Sequence, residues 1–218
     1  MARKHHYYSN TSAYDEAIRT LRTNIQFSDI DHKLKKIVVT SSVPNEAKTT
    51  IAINLAKSFA QNNMKVLLMD CDLRKPSVHK ELDIENNMGL TNVLLSKKDT
   101  SYAIMKGFEE ENLDILLSGP LPPNPAEVLS SEAMKNLLSS LEDSYDYIII
   151  DTPPVGIITD AAILSTVADG VLMVAKSNQT KKEELKSALE NIEAVNGRVL
   201  GVVLSFVKKE NTKYGGYY

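Results

Sequence analysis

The sequence has one cysteine, no tryptophan and no long apolar run among its 218 residues. The single cysteine, Cys71, excludes a disulfide framework and a thiolate metal site, and it fits a reducing compartment. No apolar run approaches the roughly 18 residues that a membrane-spanning helix needs, and the polar N-terminus lacks the apolar region of a signal peptide. The net charge of −3 provides no basic field for nucleic acid. We therefore expect a cytoplasmic protein that does not bind nucleic acid.

Short apolar runs alternate with amphipathic segments along most of the chain. Strands are predicted near residues 37–39, 65–70, 113–117, 147–151, 170–175 and 198–206. Helices are predicted between them, with a helical hairpin over 77–112. This alternation predicts an α/β fold with a doubly wound, mostly parallel central sheet flanked by helices. We expect a flexible arm over residues 1–11, one domain over 12–206 that opens with a helix over 12–28, and a mobile tail over 207–218.

The stretch KIVVTSSVPNEAKTTIAIN, residues 36–54, predicts a buried strand, a tight loop and the start of a helix. That layout is typical of a phosphate-binding P-loop, in which chain N–H groups and a helix N-terminus point into one concavity. Lys48 would place its charge at the β- and γ-phosphates of a nucleotide, and the Thr49 hydroxyl would ligate Mg²⁺. The predicted nucleotide contacts are Val43, Pro44, Asn45, Glu46, Ala47, Lys48, Thr49 and Thr50.

Glycine is missing where the P-loop pattern requires it. The pattern G-x-x-x-x-G-K-[ST] places glycines at Ser42 and Ala47, and many such loops also carry glycine at the position of Asn45. Asparagine tolerates a left-handed backbone, whereas the Ala47 methyl group lies where the backbone should approach a phosphate. On this stretch alone, an ordinary strand–helix turn with a capping side chain stays an alternative.

Acidic residues end two further predicted strands. Asp70 and Asp72 close the run VLLMDCD, and Asp151 closes the run YIIID. The carboxyl ends of parallel strands form the crevice where α/β sheets bind ligands, and carboxylates there can hold the water shell of Mg²⁺ or accept a proton. Asp151 is placed as in a Walker B element, across from Thr49. Capping acids in polar loops are the structural alternative.

Two other segments border the predicted core. Glu16, Arg19 and Arg22 recur every three residues along the first predicted helix. They form either a solvated stripe or a subunit contact.

Prolines are concentrated in residues 120–125 and fix an extended loop. One helix is predicted after the loop, from Ala126, with an apolar face that reaches residue 141. The Pro-rich loop is positioned to border the same crevice.

Three tyrosines lie in the predicted tail, at Tyr214, Tyr217 and Tyr218. Tyrosines without a core to pack against are unusual, because aromatic side chains are normally buried. Flexible tyrosines beside glycines make accessible phosphoacceptors, and each phosphate would add nearly two negative charges. A sticky, unstructured end is the alternative.

Together these segments resemble the bacterial tyrosine kinases (BY-kinases) of Gram-positive capsule and exopolysaccharide synthesis, P-loop proteins related to the MinD/ParA-type ATPases. The likeness extends from about Ser12 to the tail and rests on the phosphate loop, VLLMDCDLRKP at 66–76, SGPLPPNPAEVL at 118–129, IIIDTPP at 148–154 and the terminal tyrosines. It departs at the phosphate loop, where the family usually reads P-G-x-G-K-[ST] and this chain reads PNEAKT.

The resemblance implies an ATP- and Mg²⁺-dependent protein-tyrosine kinase. Lys48 and Thr49 would bind the phosphates and Mg²⁺. Asp70 would engage the tyrosine hydroxyl as base, and Asp72 and Asp151 would hold the metal shell. The tail tyrosines would be autophosphorylated in trans.

The resemblance also implies partners. The chain would form a homo-oligomeric ring, in which the family's E-x-x-R-x-x-R motif lies at the subunit contacts, and phosphorylation would loosen that ring. The motif corresponds to Glu16, Arg19 and Arg22. A separate membrane-bound activator, a chain-length regulator of polysaccharide synthesis, would recruit the kinase to the inner face of the cell membrane. Protein tyrosine substrates and a cognate tyrosine phosphatase complete the expected set.

Two alternatives share the predicted fold. A deviant-Walker switch ATPase of the cell-division or plasmid-partition kind would hydrolyse ATP without forming phosphotyrosine. Many of its members carry a second lysine early in the P-loop, which Ser42 and Val43 do not supply. A degenerate kinase would keep the fold as an assembly subunit, and Asn45 and Ala47 are its only support.

Overall fold

The computed structural model describes residues 11–28, 34–96 and 100–207. The helices are α1 (Thr11–Phe27), α2 (Lys48–Ala60), α3 (Val78–Glu81), α4 (Leu90–Ser96), α5 (Pro125–Ser130), α6 (Glu132–Glu142), α7 (Asp160–Ser165) and α8 (Lys182–Glu193). The strands are β1 (Lys36–Ser41), β2 (Val66–Asp70), β3 (Ile104–Met105), β4 (Leu113–Leu116), β5 (Tyr147–Asp151), β6 (Gly170–Lys176) and β7 (Val199–Ser205). Most of the predicted arm and tail, including Tyr214, Tyr217 and Tyr218, lies outside the described residues.

The seven strands form one sheet in the order β3-β4-β2-β5-β1-β6-β7. All neighbours pair in parallel except β3 and β4, which confirms the predicted doubly wound, mostly parallel sheet. The central strands are continuous apolar runs because helices cover both faces of a parallel sheet. Ile37, Val38 and Val39 of β1, for example, are completely buried.

Strand register brings the acidic strand ends together. Asp70 pairs with Asp151 across β2 and β5, and Val39 of β1 pairs with Asp151 on its other side. The phosphate loop leaves β1 two residues beyond Val39, so the loop and both aspartates share the carboxyl edge of the sheet. Ligands of open α/β sheets bind at this edge.

Two apolar layers hold the sheet between helices. On one face, Leu55 and Phe59 of α2 and Ile25 of α1 pack against β1, β2 and β5. On the other face, helices α4 to α8 supply a second cluster that includes Leu138 and Ile192. Burying α2 in this way fixes the helix whose first residue is Lys48.

The structure corrects two predictions. The single helix predicted after the Pro-rich loop is wrong, because Ser131 has an extended backbone and separates α5 from α6, and its hydroxyl caps α6 by accepting from the Met134 N–H. The purely helical hairpin over 77–112 is also wrong, since β3 adds an antiparallel edge strand within it. A strand of two residues is too short to produce a recognisable periodic pattern in the sequence. The first helix begins at Thr11, one residue earlier than predicted.

A polar cluster lies at the opposite, amino edge of the sheet. One oxygen of Asp114 accepts from Lys106 Nζ at 2.7 Å and from the Tyr145 hydroxyl at 2.6 Å, and the other accepts from the Gly107 N–H at 3.0 Å. An open depression of about 400 Å³ lies beside these side chains. It is remote from the phosphate loop and is therefore a separate feature of the surface.

No helix among the described residues is both long enough and apolar enough to cross a bilayer.

Candidate nucleotide and phosphoryl-transfer site

The phosphate loop adopts glycine-like backbone conformations without glycine. Asn45 and Ala47 have φ angles of 65° and 67°, both in the left-handed region, and Ala47 is the N-cap of α2. For an L-residue with a β-carbon this conformation costs about 1–2 kcal/mol, and less for asparagine. The loop thus stores strain at Ala47, the position where sequence analysis expects a missing glycine to matter most.

Glu46 braces the loop through its side chain. The residue is only 2% exposed, and one carboxylate oxygen accepts from the N–H groups of Ser42 at 2.8 Å and Val43 at 3.1 Å. The other oxygen accepts from the hydroxyl of Thr180 in the turn between β6 and α8. Glu46 is therefore a bracing residue whose side chain is committed to protein contacts, so any contact with nucleotide must come from its main chain.

The segment after β5 packs directly against the start of the phosphate loop. The Val155 N–H donates to the Ser41 carbonyl at 2.9 Å, and a β-carbon at Gly156 would collide with the Ser42 carbonyl oxygen. Glycine is required at this position because the two chains approach so closely. The segment carrying Asp151 is thereby held in contact with the phosphate loop.

Lys48 lies between two of the predicted carboxylates. Its Nζ is 3.4 Å from Asp72 Oδ2 and 3.6 Å from Asp151 Oδ1. Burial lowers the pKa of Lys48, but the charges of Asp151, Asp72 and Asp70 outweigh burial and hold it above its ordinary value. Lys48 is therefore a permanent cation at neutral pH, held where a phosphate could replace its carboxylate partners.

Thr49 and Asp151 form a second contact in the same cluster. The Thr49 hydroxyl donates to Asp151 Oδ2 at 2.7 Å and lies 2.9 Å from the Ser77 hydroxyl. Asp151 Oδ1 is buried and has no hydrogen-bond partner among the described residues. Burial raises the pKa of Asp151 to about 6, although Lys48 and the Thr49 hydroxyl oppose the rise. The site thus contains a carboxylate oxygen that lacks a hydrogen-bond donor.

Asp70 is buried as completely as Asp151, whereas Asp72 is slightly exposed. The two oxygens of Asp70 accept from the N–H groups of Asp72 and Val78, both at 3.2 Å. Burial, and after it the charge of Asp151, raises the pKa of Asp70 to about 8. The raised pKa favours the protonated form of Asp70, and complete burial keeps it from a substrate in this conformation.

The cluster fits a hydrated divalent cation. Asp72 and Asp151 both face Lys48, so negative charge is in excess, and the Asp151 oxygen and Thr49 hydroxyl are hard oxygen donors. Within the described ranges, no three acidic, histidine or cysteine side chains converge closely enough to ligate a metal directly. That arrangement suits Mg²⁺, which keeps several waters and takes few protein ligands beside substrate phosphates.

Comparisons with known proteins identify the family of this site. A family model described as an AAA domain matches residues 34–201. Tyrosine-protein kinase YwqD of Bacillus subtilis strain 168 is 45% identical over 207 residues, which cover 95% of this chain and 87% of that protein. The chain belongs to the bacterial tyrosine-protein kinases.

Other members of the kinase family also match nearly the whole of this chain, although they differ in total length. Tyrosine-protein kinase wzc of Salmonella typhimurium strain LT2 is 35% identical over 93% of this chain, but the match covers only 28% of that protein. The solved kinase domain of the Escherichia coli tyrosine kinase ETK has a TM-score of 0.87 and 30% identity, over 94% of this chain and 81% of that one. The kinase fold therefore extends over nearly all of the chain described.

The predicted oligomer motif of this tyrosine kinase divides between two environments. Arg19 Nη1 lies 3.2 Å from Glu16 Oε2, and both side chains are exposed. Arg22 instead donates to the Ser58 carbonyl at 2.7 Å and so anchors α1 on α2. Within a single kinase chain, Glu16 and Arg19 are thus available to a partner, whereas Arg22 is already engaged.

Several contacts of the kinase site escaped sequence analysis. Ser77 and Thr180 are absent from the predicted site residues, and Glu46 is predicted as a nucleotide contact and not as a brace of the loop. Each lies far along the chain from its partner, as Thr180 does from Glu46. An acidic residue within a phosphate-binding loop is the one signal that the sequence provides for Glu46, and its burial, which only the structure shows, explains why it requires donors.

Proposed function

We propose that this kinase transfers the γ-phosphoryl group of ATP to tyrosines of its own C-terminal tail. The observation that supports the proposal is the convergence of Lys48, Thr49, Asp72 and Asp151 at the carboxyl edge of the sheet. The acceptors are Tyr214, Tyr217 and Tyr218, and the donor site belongs to a neighbouring subunit.

The chain's own residues provide charge and position. Lys48 binds the β- and γ-phosphates, and the main-chain N–H groups of the loop and of the α2 N-terminus surround them. Thr49, Asp72 and Asp151 would hold hydrated Mg²⁺, which would supply positive charge to the phosphates. A bond forms between the tyrosine oxygen and the γ-phosphorus, the bond to the β–γ bridging oxygen breaks, and ADP leaves.

Asp70 is our candidate for the base that receives the phenolic proton, and it must first ionise, because burial raises its pKa to about 8 in this conformation. Its burial and its two N–H contacts mean that the segment over residues 71–78 must open before a tyrosine reaches it. Asp72 is nearer to Lys48 and is our candidate for orienting the metal shell.

Regulation follows from assembly and charge. We infer that copies of this kinase form a ring through Glu16, Arg19 and Arg22, and that phosphorylated tails loosen it by repulsion. We infer that a membrane-bound chain-length regulator of polysaccharide synthesis activates the kinase at the inner face of the membrane. A cognate phosphatase reverses the modification, and the polysaccharide machinery contains further tyrosine substrates.

A mixing experiment tests transfer in trans. A full-length Lys48→Met chain provides an intact tail without a working site, and a chain lacking residues 214–218 provides a working site without a tail. Both are incubated with Mg²⁺ and ATP, separately and together, with and without a cytoplasmic peptide from a candidate membrane activator. We expect phosphotyrosine at Tyr214, Tyr217 or Tyr218 only in the mixture. Labelling of Lys48→Met alone, or an unlabelled mixture when wild type is labelled, contradicts the proposal.

A further inference from the structure

Arg74 forms a two-pronged ion pair with Asp160. Its Nε donates to Asp160 Oδ2 at 2.8 Å and its Nη2 donates to Oδ1 at 3.0 Å. Asp160 is completely buried at the start of α7, whereas the Arg74 side chain keeps 36% of its exposure. Both oxygens of Asp160 and two of the nitrogens of Arg74 are therefore used in a single planar contact.

The pair joins the two loops that carry the site's carboxylates. Arg74 follows Asp72 by two residues, and the N–H groups of Arg74 and Lys75 donate to Asp72 Oδ1 at 3.3 and 2.9 Å. The other oxygen of Asp72 faces Lys48. Asp160 ends the segment that begins at Asp151 and packs on the phosphate loop through Val155. The pair thus joins the β2 and β5 loops through side chains, beyond the backbone hydrogen bond from the Cys71 N–H to the Asp151 carbonyl at 2.8 Å.

Stability alone is a weak reason for such a pair. Burying a carboxylate costs several kcal/mol, and the attraction to its partner often does no more than offset that cost. A guanidinium fork does, however, fix distance and orientation more tightly than a lysine can. The geometry of the contact, more than its energy, distinguishes it from an ordinary packed pair.

We propose that Arg74 and Asp160 are a positioning pair that sets the separation of Asp72 and Asp151 around Lys48. This inference rests on the proposed function, because it takes those carboxylates to hold hydrated Mg²⁺ beside ATP. Arg74 then acts through Asp72, and Asp160 acts through the segment that follows Asp151. Neither side chain contacts the reacting atoms.

Calorimetry of a non-hydrolysable ATP analogue tests the pair apart from turnover. The full chain is titrated at increasing Mg²⁺ as wild type, Arg74→Gln, Arg74→Lys, Asp160→Asn and the Arg74→Gln/Asp160→Asn double variant. We expect the Mg²⁺ concentration for half-maximal binding to rise about 10- to 100-fold in the single variants. Arg74→Lys keeps the positive charge but loses the planar guanidinium. We therefore expect its Mg²⁺ concentration for half-maximal binding to be close to that of Arg74→Gln. The double variant should be no worse than the more severe single variant, since the two residues act as one unit.

Asp114→Asn is the matched control. It removes a buried, ion-paired carboxylate at the amino edge of the sheet, and we expect it to lower the melting temperature without moving the Mg²⁺ dependence. Wild-type Mg²⁺ dependence in Arg74→Gln, or in Arg74→Lys if Arg74→Gln does not fold, would overturn the positioning role. Mg²⁺-dependent binding by wild type without any phosphotyrosine would instead contradict the kinase proposal and leave the pair's role intact.

Discussion

Two lysine–aspartate clusters lie at opposite edges of the same sheet, and they balance their charges differently. At the amino edge, Lys106, Tyr145 and the Gly107 N–H all donate to Asp114, so each of its oxygens has a partner. At the carboxyl edge, Lys48 faces Asp72 and Asp151, and Asp151 Oδ1 has no hydrogen-bond partner within the described part of the chain. Lysine–oxygen distances are also shorter at the amino edge, 2.7 Å against 3.4 and 3.6 Å.

The pKa values of the aspartates differ between the two clusters in the same way. Burial raises the pKa of Asp114, but hydrogen bonds from Lys106, Tyr145 and Gly107 outweigh it, and the net pKa lies below the usual value. Burial raises the pKa of Asp151 to about 6 and that of Asp70 to about 8. A satisfied cluster stabilises the fold, whereas an unsatisfied one is arranged for charge that arrives from outside.

Replacing Lys48 and Lys106 in turn should give the largest difference in activity between the two clusters. We expect Lys48→Met to lower tyrosine phosphorylation by about 100- to 1000-fold or more, because a preorganised positive charge at the phosphates is lost. Lys106→Met should leave the rate within about twofold, since its partner Asp114 serves the fold. Phosphotyrosine time courses by mass spectrometry measure both. Equal losses of phosphorylation rate in the two variants would mean that the two clusters do not differ in function.

Replacing the two aspartates should change stability in opposite directions. Asp114→Asn breaks charge-assisted hydrogen bonds at a buried site and should lower the free energy of unfolding by about 2 kcal/mol. Asp151→Asn removes a buried charge whose burial outweighs its contacts with Lys48 and Thr49, so we expect unchanged stability or a gain of up to about 1 kcal/mol, together with lost activity. Urea denaturation without Mg²⁺ provides the comparison. A large loss of stability in Asp151→Asn would mean that its cluster is structural as well.

The pH dependence of stability sharpens the contrast. The pKa of Asp70 is about 8 in the folded state and about 3.9 unfolded, so the folded state binds more protons between these values. The free energy of unfolding should therefore fall as the pH rises towards about 8, by at most about 1.4 kcal/mol per pH unit for this group.

Asp70→Asn should flatten that slope between about pH 6 and pH 8 in Mg²⁺-free urea denaturation. Asp114→Asn should not, because a lowered folded pKa contributes stability that is present above the unfolded pKa and lost only as the pH falls through the folded pKa. An Asp70→Asn slope equal to that of wild type would mean that Asp70 is ionised in the folded protein.

Restoring glycine to the phosphate loop should have the smallest effect. Ala47→Gly relieves a left-handed backbone, and we expect a gain of roughly 0.5–1 kcal/mol after the extra entropy of unfolded glycine is subtracted. Nucleotide affinity should rise as well if the methyl group crowds a phosphate. Asn45→Gly is the matched control and should gain less, because asparagine tolerates this conformation. Lower stability in Ala47→Gly would show that the loop is not strained.

The sequence predicts the frame of the site better than its internal contacts. Apolar runs of three or four residues located β1, β2 and β5, and the register of a parallel sheet then required Asp70 and Asp151 to meet. The break at Ser131 was not predictable from periodicity, because the apolar face continues through it. The contacts of Arg74 with Asp160 and of Glu46 with Thr180 join residues 86 and 134 positions apart. Only the folded chain reveals such partners.

The most direct test of the account is intact and peptide mass spectrometry of the full chain after incubation with Mg²⁺ and ATP, beside Lys48→Met. The account predicts phosphate on Tyr214, Tyr217 or Tyr218 of wild type and none on the variant, which would establish transfer despite Asn45 and Ala47. Hydrolysis of ATP without phosphotyrosine, with or without an activator peptide, would contradict it and favour a nucleotide-switched ATPase. Neither binding nor hydrolysis would favour an assembly subunit that has kept only the fold.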